Sequence, residues 1–129
     1  MKALNALRIS GREVFPIVEG GKGVSVSNGR SCGAFAASDC VGTFSGVNAD
    51  FFDDDGRIVS QVYHGRTRRD RYEELVAFAI RGGISQARVA YETSGGRGRI
   101  HMNVLWEAAA SQRILHGILE GAKGLIHGI

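Results

Sequence analysis

The chain has 129 residues, with 16 Lys and Arg against 13 Asp and Glu, and a formal net charge of +3. This length favours a single domain with a core of its own. A content of 43% hydrophobic and 22% charged residues excludes an intrinsically disordered chain. No apolar run approaches the roughly 18 residues of a membrane span, and the first residues have no signal-peptide pattern, so we expect a cytoplasmic protein. The two cysteines are too few for a disulfide framework, and no Cys/His cluster has zinc spacing.

Glycine is unusually frequent, with 19 residues against a single proline. The glycines are neither periodic nor gathered in a low-complexity block, which excludes collagen and a flexible linker. They lie between apolar segments, and this placement predicts a fold with many tight strand–helix junctions.

Four short apolar segments, each bounded by glycine or polar residues, are predicted to be buried strands. They are Val14–Val18, Val41–Val47, Ile100–Leu105 and Gly124–Ile129. Near-continuous apolarity, without strict alternation, is typical of strands covered on both faces in a parallel sheet.

The longest predicted helix begins at Thr67 and Asp70, which have the spacing of a capping box. Its apolar face stays in phase up to about Tyr91. Because the phase continues through the Gly82-Gly83 pair, we predict one long helix and not two. A shorter helix is predicted over residues 28–37, capped by Ser27 or Asn28, and a third over residues 107–121.

Residues 48–65 are predicted to be an insertion within the single domain 1–129. Phe51-Phe52 and Ile58-Val59 flank an acidic turn that contains Asp55-Gly56. This pattern is typical of a β-hairpin.

The resulting order, β-α-β-insertion-α-β-α-β, predicts an α/β fold with a parallel sheet. Two architectures agree with it. One is a small doubly wound sheet of four strands. The other is a partial (β/α)8 TIM barrel of about four βα units, since a complete barrel uses roughly 250 residues. On the second alternative the chain is the N-terminal half of a barrel that is interrupted near Ile129.

Two features are candidates for ligand binding. Glu19 is followed by Gly20-Gly21-Lys22-Gly23, and these glycines let the main chain approach a flat or anionic ligand, to which the next helix could offer N–H groups. Asn103 lies inside an apolar strand and must be hydrogen-bonded there, either to a ligand or to loop backbone. The alternative for the loop is a tight strand–helix turn without a ligand.

The remaining polar residues are less specific. His101 alternates with Asn103 along one strand and shares its face, while His127 is either a general base or a packed histidine. Cys32 is predicted to be a small core residue. A basic run is formed by Arg66, Arg68, Arg69 and Arg71. It is either a phosphate or nucleic-acid patch or a solvated face. Because no stacking aromatic residues accompany it, we expect the solvated face.

Five segments together resemble one enzyme family. They are FPIVEGGKGVSVSNGRSCGAFAA, VGTFSGVNAD, QVYHGRTRRDRYEELVAFAIRGG, GRIHMNVLWE and KGLIHGI. They resemble the N-terminal part of the nitronate monooxygenases, also called 2-nitropropane dioxygenases, over about residues 13–129. These are FMN-dependent (β/α)8 barrels that oxidise alkyl nitronates with dioxygen. The resemblance implies a flavoprotein oxidoreductase that acts on a small molecule.

The resemblance also assigns residues to the cofactor. The loop Gly20, Gly21, Lys22 and Gly23 would lie against the flavin ring, and Asn103 would hydrogen-bond FMN. Glu19 and Lys22 depart from the family, which usually has glutamine and methionine in this loop. His127 lies close to the strand end that carries the family's catalytic histidine, without being aligned with it.

In this family the FMN phosphate is held by loops late in the barrel. We therefore expect this chain alone to be inactive, and to require a second copy or a C-terminal half. No metal, nucleic acid or membrane partner is expected. Two alternatives remain: an enoyl-ACP reductase-like flavoenzyme, and a non-catalytic remnant or assembly half that dimerises.

Overall fold

Two parallel strands form the centre of the fold in the computed structural model, which describes residues 4–23, 25–53 and 55–129. In chain order the elements are β1 (Leu7–Ile9), β2 (Arg12–Val14), α1 (Gly29–Ala37), β3 (Val41–Ser45), β4 (Phe51–Phe52), β5 (Ile58–Val59), α2 (Arg68–Ser94), β6 (Arg99–Asn103) and α3 (Ser111–Gly121). Strands β3 and β6 pair in parallel, with Ser45 opposite Asn103. Val18 adds a single parallel bridge to β3, and Gly128 adds one to β6.

The predicted partial (β/α)8 barrel of about four βα units is wrong. The described residues form three two-stranded sheets, of which one is parallel and two are antiparallel. Of the four predicted strands, only those at β3 and β6 pair along their length. Val14 ends the antiparallel strand β2, while the rest of Val14–Val18 and the segment Gly124–Ile129 contribute only isolated parallel bridges. The four-stranded doubly wound sheet therefore does not form among the described residues either.

Local turns explain why the two outer segments are not full strands. Pro16 has no N–H, and across it the Ile17 N–H donates to the Phe15 carbonyl at 2.7 Å. This γ-turn bends the first segment in its middle. In the last segment Gly124 has a φ of 81°, and the Leu125 N–H turns back to the Ala122 carbonyl at 3.0 Å. Only the end of that segment is therefore free to run beside β6.

The helices pack on one face of the β3–β6 pair. Phe44 of β3 and Ile100 and Met102 of β6 form the core with residues of the helical layer, namely Cys32, Ala36, Ala87, Ala90, Ile118 and Ala122. Because successive side chains of a strand point to opposite faces, His101 and Asn103 lie on the face away from the helices. The predicted sharing of one face by these two residues is confirmed.

Both predicted helix caps are present. Asn28 Oδ1 accepts from the N–H groups of Arg30 and Ser31 at the start of α1. Thr67 and Asp70 form the reciprocal capping box of α2, which continues without a break through the glycine pair. The third helix begins later than predicted because Ala110, its N-cap, has a φ of 62° and no side-chain cap. Within the described ranges, no helix is both long and apolar enough to cross a membrane.

Two antiparallel hairpins complete the fold. The predicted hairpin is confirmed, with Phe51 opposite Val59 in β4 and β5. The β1–β2 hairpin was not predicted. It turns at Ser10 and Gly11, which both have positive φ, as a two-residue type I′ turn requires. The Arg99 side chain donates to the Ile9 carbonyl at 2.9 Å and to the Ser10 carbonyl at 2.6 Å, and so ties this hairpin to the start of β6.

Candidate functional site

The candidate site lies at the carboxyl ends of β3 and β6. Glu19 N–H donates to the Val41 carbonyl at 2.8 Å, so the chain runs beside β3 directly before it enters the glycine loop, residues 20–23. Ser45 and Asn103 end the paired strands opposite each other. The carboxyl ends of parallel strands are the usual place for a ligand in α/β proteins.

Gly21 and Asn103 are in direct contact at this edge. A Cβ atom on Gly21 would lie 2.5 Å from Asn103 Cβ and 3.0 Å from its Nδ2. A side chain at position 21 would therefore displace Asn103, and only glycine lets the loop backbone approach this closely. The structure thus brings together two of the predicted site residues that are distant in the sequence.

The rest of the glycine loop is open. A Cβ atom on either Gly20 or Gly23 would meet no atom within 4 Å, and Lys22 is exposed. The Lys22 main chain is nevertheless fixed, because its N–H donates to Ser27 Oγ at 2.9 Å. The loop therefore combines a fixed backbone with a free surface.

Ser27 is a site residue that sequence reasoning missed, since it was considered only as a helix cap. Its hydroxyl donates to the Gly20 carbonyl at 3.2 Å, and its own carbonyl accepts from Ser45 N–H at 2.7 Å. The side chain is 3% exposed. Ser27 thus connects the glycine loop to the end of β3, and a small hydroxyl residue a few positions after a glycine loop is the only signal in the sequence.

Glu19 has a structural role. Its Oε2 accepts from the Thr43 N–H of β3 at 3.0 Å. The carboxylate oxygen thus replaces the main-chain carbonyl that a neighbouring strand would offer to this N–H. Because this bond anchors the start of the glycine loop to β3, Glu19 is committed to holding the loop in place. Burial, followed by the nearby Glu19 carboxylate, raises the pKa of the Cys32 thiol to about 12.

The amino end of α1 does not offer the free N–H groups that we expected for an anionic ligand. Gly29 N–H donates to Gln86 Oε1 at 2.6 Å. The next two amides donate to Asn28 Oδ1 at 3.0 and 3.1 Å, and the Asn28 N–H donates to Ser31 Oγ at 3.2 Å. All four orphan donors of this helix end are used, so α1 does not form a phosphate site through its backbone.

The two strand histidines differ in what they contact. His127 Nδ1 accepts from the Ile100 N–H at 3.1 Å, so its lone pair holds the last segment against β6 and is not free to act as a base. His101 Nε2 is buried without a hydrogen-bond partner among the described residues, and a Cβ on Gly128 would lie 2.6 Å from it. Burial lowers the pKa of both imidazoles, and Arg99 contributes at His127.

The basic run before and at the start of α2 is exposed, as predicted for a solvated face. The neighbouring acids are engaged elsewhere. Asp70 caps the helix, Glu73 pairs with Arg113 at 2.7 Å, and both carboxylate oxygens of Glu74 accept from His64 N–H.

Chemically, the site offers loop backbone and one side-chain amide to a ligand. The His101 imidazole, on the same face as Asn103, has an Nε2 atom without a partner among the described residues, while His127 Nδ1 and Glu19 Oε2 are engaged in hydrogen bonds. No group of three His, Cys, Asp or Glu residues in the described segments is placed to hold a metal ion.

Comparisons with known proteins give no further identification: the chain matches no protein-family model, no curated protein and no solved structure. The resemblance to the nitronate monooxygenases therefore stays a prediction.

Proposed function

We propose that this chain binds FMN at the carboxyl ends of β3 and β6 and serves in a nitronate monooxygenase-like oxidoreductase. FMN supplies the redox chemistry of such an enzyme, the oxidation of alkyl nitronates with dioxygen, when it is bound. A cytoplasmic location and a small-molecule substrate belong to the same proposal.

The observation that carries the proposal is the contact between Gly21 and Asn103. The sequence resemblance assigns these two residues to one cofactor, and the fold brings them together although it is not a barrel. A carboxamide has both donors and an acceptor, which match the alternating donors and acceptors along the edge of a flavin ring. The glycine loop beside it presents a side-chain-free surface against which a flat ring can lie.

The same geometry supports a divided binding site. The backbone donors at the amino end of α1 are occupied by Asn28 and Gln86, so this helix does not supply a phosphate site. We therefore propose that the FMN phosphate is held by a second copy or by a C-terminal half, and that the chain alone turns over no substrate.

The test is a titration of the purified chain with FMN and with riboflavin, followed by flavin fluorescence, while light scattering gives the mass in solution. If the chain alone contacts the ring and not the phosphate, FMN and riboflavin bind the monomer with similar affinity. If a dimer completes the site, FMN binds the dimer more tightly than riboflavin does.

Variants of the Gly21–Asn103 contact make the test specific. Gly21→Ala places a methyl group against Asn103, and Asn103→Ala removes the amide. We expect each to weaken binding by about tenfold, the equivalent of one good hydrogen bond. Asn5→Ala is the control, because it removes the same amide from an exposed position outside the glycine loop and the paired strands.

Two results would contradict the proposal. One is the absence of saturable flavin binding. If light scattering then shows a dimer, the result favours the alternative of a non-catalytic assembly half. The other is an equal loss in Asn103→Ala and Asn5→Ala. Oxidation of NAD(P)H with reduction of an enoyl thioester would instead identify the enoyl-ACP reductase-like alternative.

A further inference from the structure

A cleft on the helical side of the molecule has three arginines on its walls. It has a volume of about 750 Å³ and lies between the start of α1, the outer face of α2 and the β4–β5 hairpin. Arg30 comes from α1, and Arg81 and Arg88 come from α2. We call it the arginine cleft. None of its lining residues belongs to the glycine loop or to β6, so it is separate from the proposed flavin site.

Helix geometry places the two α2 arginines on the same wall. Residues seven apart lie two turns apart on one face, and Ser85 lies between Arg81 and Arg88 on that face. Arg30 adds a third cation from the neighbouring helix. Three arginines thus line one concave surface, where their combined field attracts anions more strongly than the same charges do on a flat surface.

These arginines have no ionic partner within the described ranges of the chain. The ion pairs there join Arg57 to Asp55, Arg97 to Asp39, and Arg113 to Glu73, and none involves a cleft arginine.

The cleft acids do not offset these charges by direct pairing. Asp53 lines the cleft, but its Oδ1 accepts from the N–H groups of Asp55 at 3.1 Å and Arg57 at 2.8 Å, which commits it to the hairpin turn. Glu92 also lines the cleft and forms no ion pair with a described residue. With three cations against two acids, the side chains of the described lining residues have a net positive charge.

The guanidinium of Arg81 is held in place before any ligand arrives. It lies 5.9 Å from the ring centroids of both Phe51 and Phe78, and these two rings pack edge to face with centroids 6.4 Å apart. The cation–π contacts order the side chain. A preordered arginine loses less conformational entropy on binding.

From this arrangement we propose that the arginine cleft binds a small organic molecule that carries a phosphate or pyrophosphate group. Arginine recognises phosphate oxygens through paired N–H donors in a fixed plane. The volume of the cleft lies in the range of roughly 300–1,000 Å³ that small-molecule sites occupy, which leaves room for an organic group beside the phosphate. This proposal does not rest on the flavin site.

Inorganic pyrophosphate is the first probe, titrated into the full chain by isothermal calorimetry at low salt. We expect saturable binding of one pyrophosphate per chain. Arg81→Gln and Arg88→Gln should each weaken it about tenfold or more, since a charge-assisted hydrogen bond contributes roughly 1.5–3 kcal/mol. Arg68→Gln is the matched control, because it removes the same charge from an exposed position of α2 outside the cleft. Arg81 and Arg88 are exposed, and circular dichroism verifies that the variants are folded.

Three outcomes would overturn the proposal. The first is the absence of saturable binding. The second is an equal loss in Arg68→Gln and Arg88→Gln, which would indicate a general effect of net charge. The third is tighter binding of a short single-stranded oligonucleotide than of pyrophosphate, with a loss in Arg68→Gln, which would assign the basic surface to nucleic acid.

Discussion

Gln86 of α2 joins the first amide of α1: its Oε1 accepts from the Gly29 N–H at 2.6 Å. Its Nε2 donates to the Asp50 carbonyl at 2.8 Å, and the side chain is 2% exposed. One buried carboxamide therefore connects α1, α2 and the segment that leads into β4. The same bond occupies a donor that would otherwise be available to an anion beside the glycine loop.

Replacement of Gln86 by leucine is expected to destabilise the protein by about 2–4 kcal/mol. The variant fills a similar volume but leaves the Gly29 N–H and the Asp50 carbonyl without their partner, and an unpaired buried polar group costs roughly 1–3 kcal/mol. Chemical denaturation measures the change. Gln112→Leu, on the exposed side of α3, is the control and should change the free energy of unfolding by less than about 0.5 kcal/mol. Equal effects of the two variants would show that the carboxamide bonds contribute nothing.

The adjacent glycines of α2 are expected to respond differently to alanine. Alanine favours a helix by about 1 kcal/mol over glycine. Replacing a helical glycine by alanine therefore stabilises the protein where the added methyl group meets no other atom. At Gly82 the new methyl group would collide with the Ala49 carbonyl oxygen, which is backbone. At Gly83 it would meet Cδ1 and Cγ1 of the buried Ile118 side chain, which can shift only by repacking the core.

We therefore expect Gly82→Ala to lower the free energy of unfolding by about 1–2 kcal/mol. Overpacking costs roughly 1–3 kcal/mol, and the higher helix propensity of alanine offsets part of this cost. Gly83→Ala should lose less, about 1 kcal/mol, because the Ile118 side chain can repack whereas the Ala49 backbone cannot. Thermal and urea denaturation of the two variants side by side give the comparison. A gain in stability from Gly82→Ala would refute the close approach of Ala49 to α2.

Local signals in the sequence predicted the local structure. The caps at Asn28 and Thr67 depend only on residues within one helical turn, and the phase of the apolar face extends over Gly82-Gly83. These features form as predicted because neighbouring residues supply all the partners they need. The wrong prediction for the first strand also has a local cause: Pro16 removes a ladder donor and bends the chain, although the residues around it form an apolar run.

Local sequence patterns could not predict the tertiary contacts of the site, because the partners are distant in the sequence. Gln86 finds partners in α1 and before β4, and Ser27 bridges the glycine loop and β3, although neither belongs to a sequence motif. The meeting of Gly21 with Asn103 was expected only through the family resemblance. Side-chain periodicity placed His101 and Asn103 on one face, but it could not show that the lone pair of His127 is engaged by Ile100.

The lowered pKa values of His101 and His127 predict that the protein is less stable in mild acid. Burial lowers the pKa of His127 and of His101 in the folded protein, below the ordinary value of about 6.5 that applies to the unfolded chain. The unfolded state therefore binds more protons as the pH falls. This stabilising contribution is complete above about pH 6.5 and is lost as the pH falls through the folded pKa values.

His127→Asn isolates the contribution of one imidazole. Asparagine keeps an acceptor for the Ile100 N–H but does not titrate, so the free energy of unfolding should fall less steeply between pH 7 and pH 5. The measurement is urea denaturation at a series of pH values. His64→Asn is the control, because His64 is exposed, and it should leave the slope unchanged. The hypothesis fails if His127→Asn has the slope of the parent.

The thiol of Cys32 is expected to react only when the protein unfolds. Cys32 is completely buried in the core, and burial is the main reason that its pKa is raised to about 12. The thiolate, which is the reactive form, is therefore scarce at pH 8 as well as inaccessible.

Cys40→Ser leaves Cys32 as the single thiol. Its labelling by an aromatic disulfide reagent should follow the rate of global opening and accelerate with urea. Cys32→Ser provides the comparison, because it leaves Cys40 as the single thiol. Cys40 lies directly before β3 and is 6% exposed. We therefore expect Cys40 to be labelled faster than Cys32 at the same urea concentration. Rapid labelling of Cys32 in the absence of denaturant would show that α1 does not stay packed against β3.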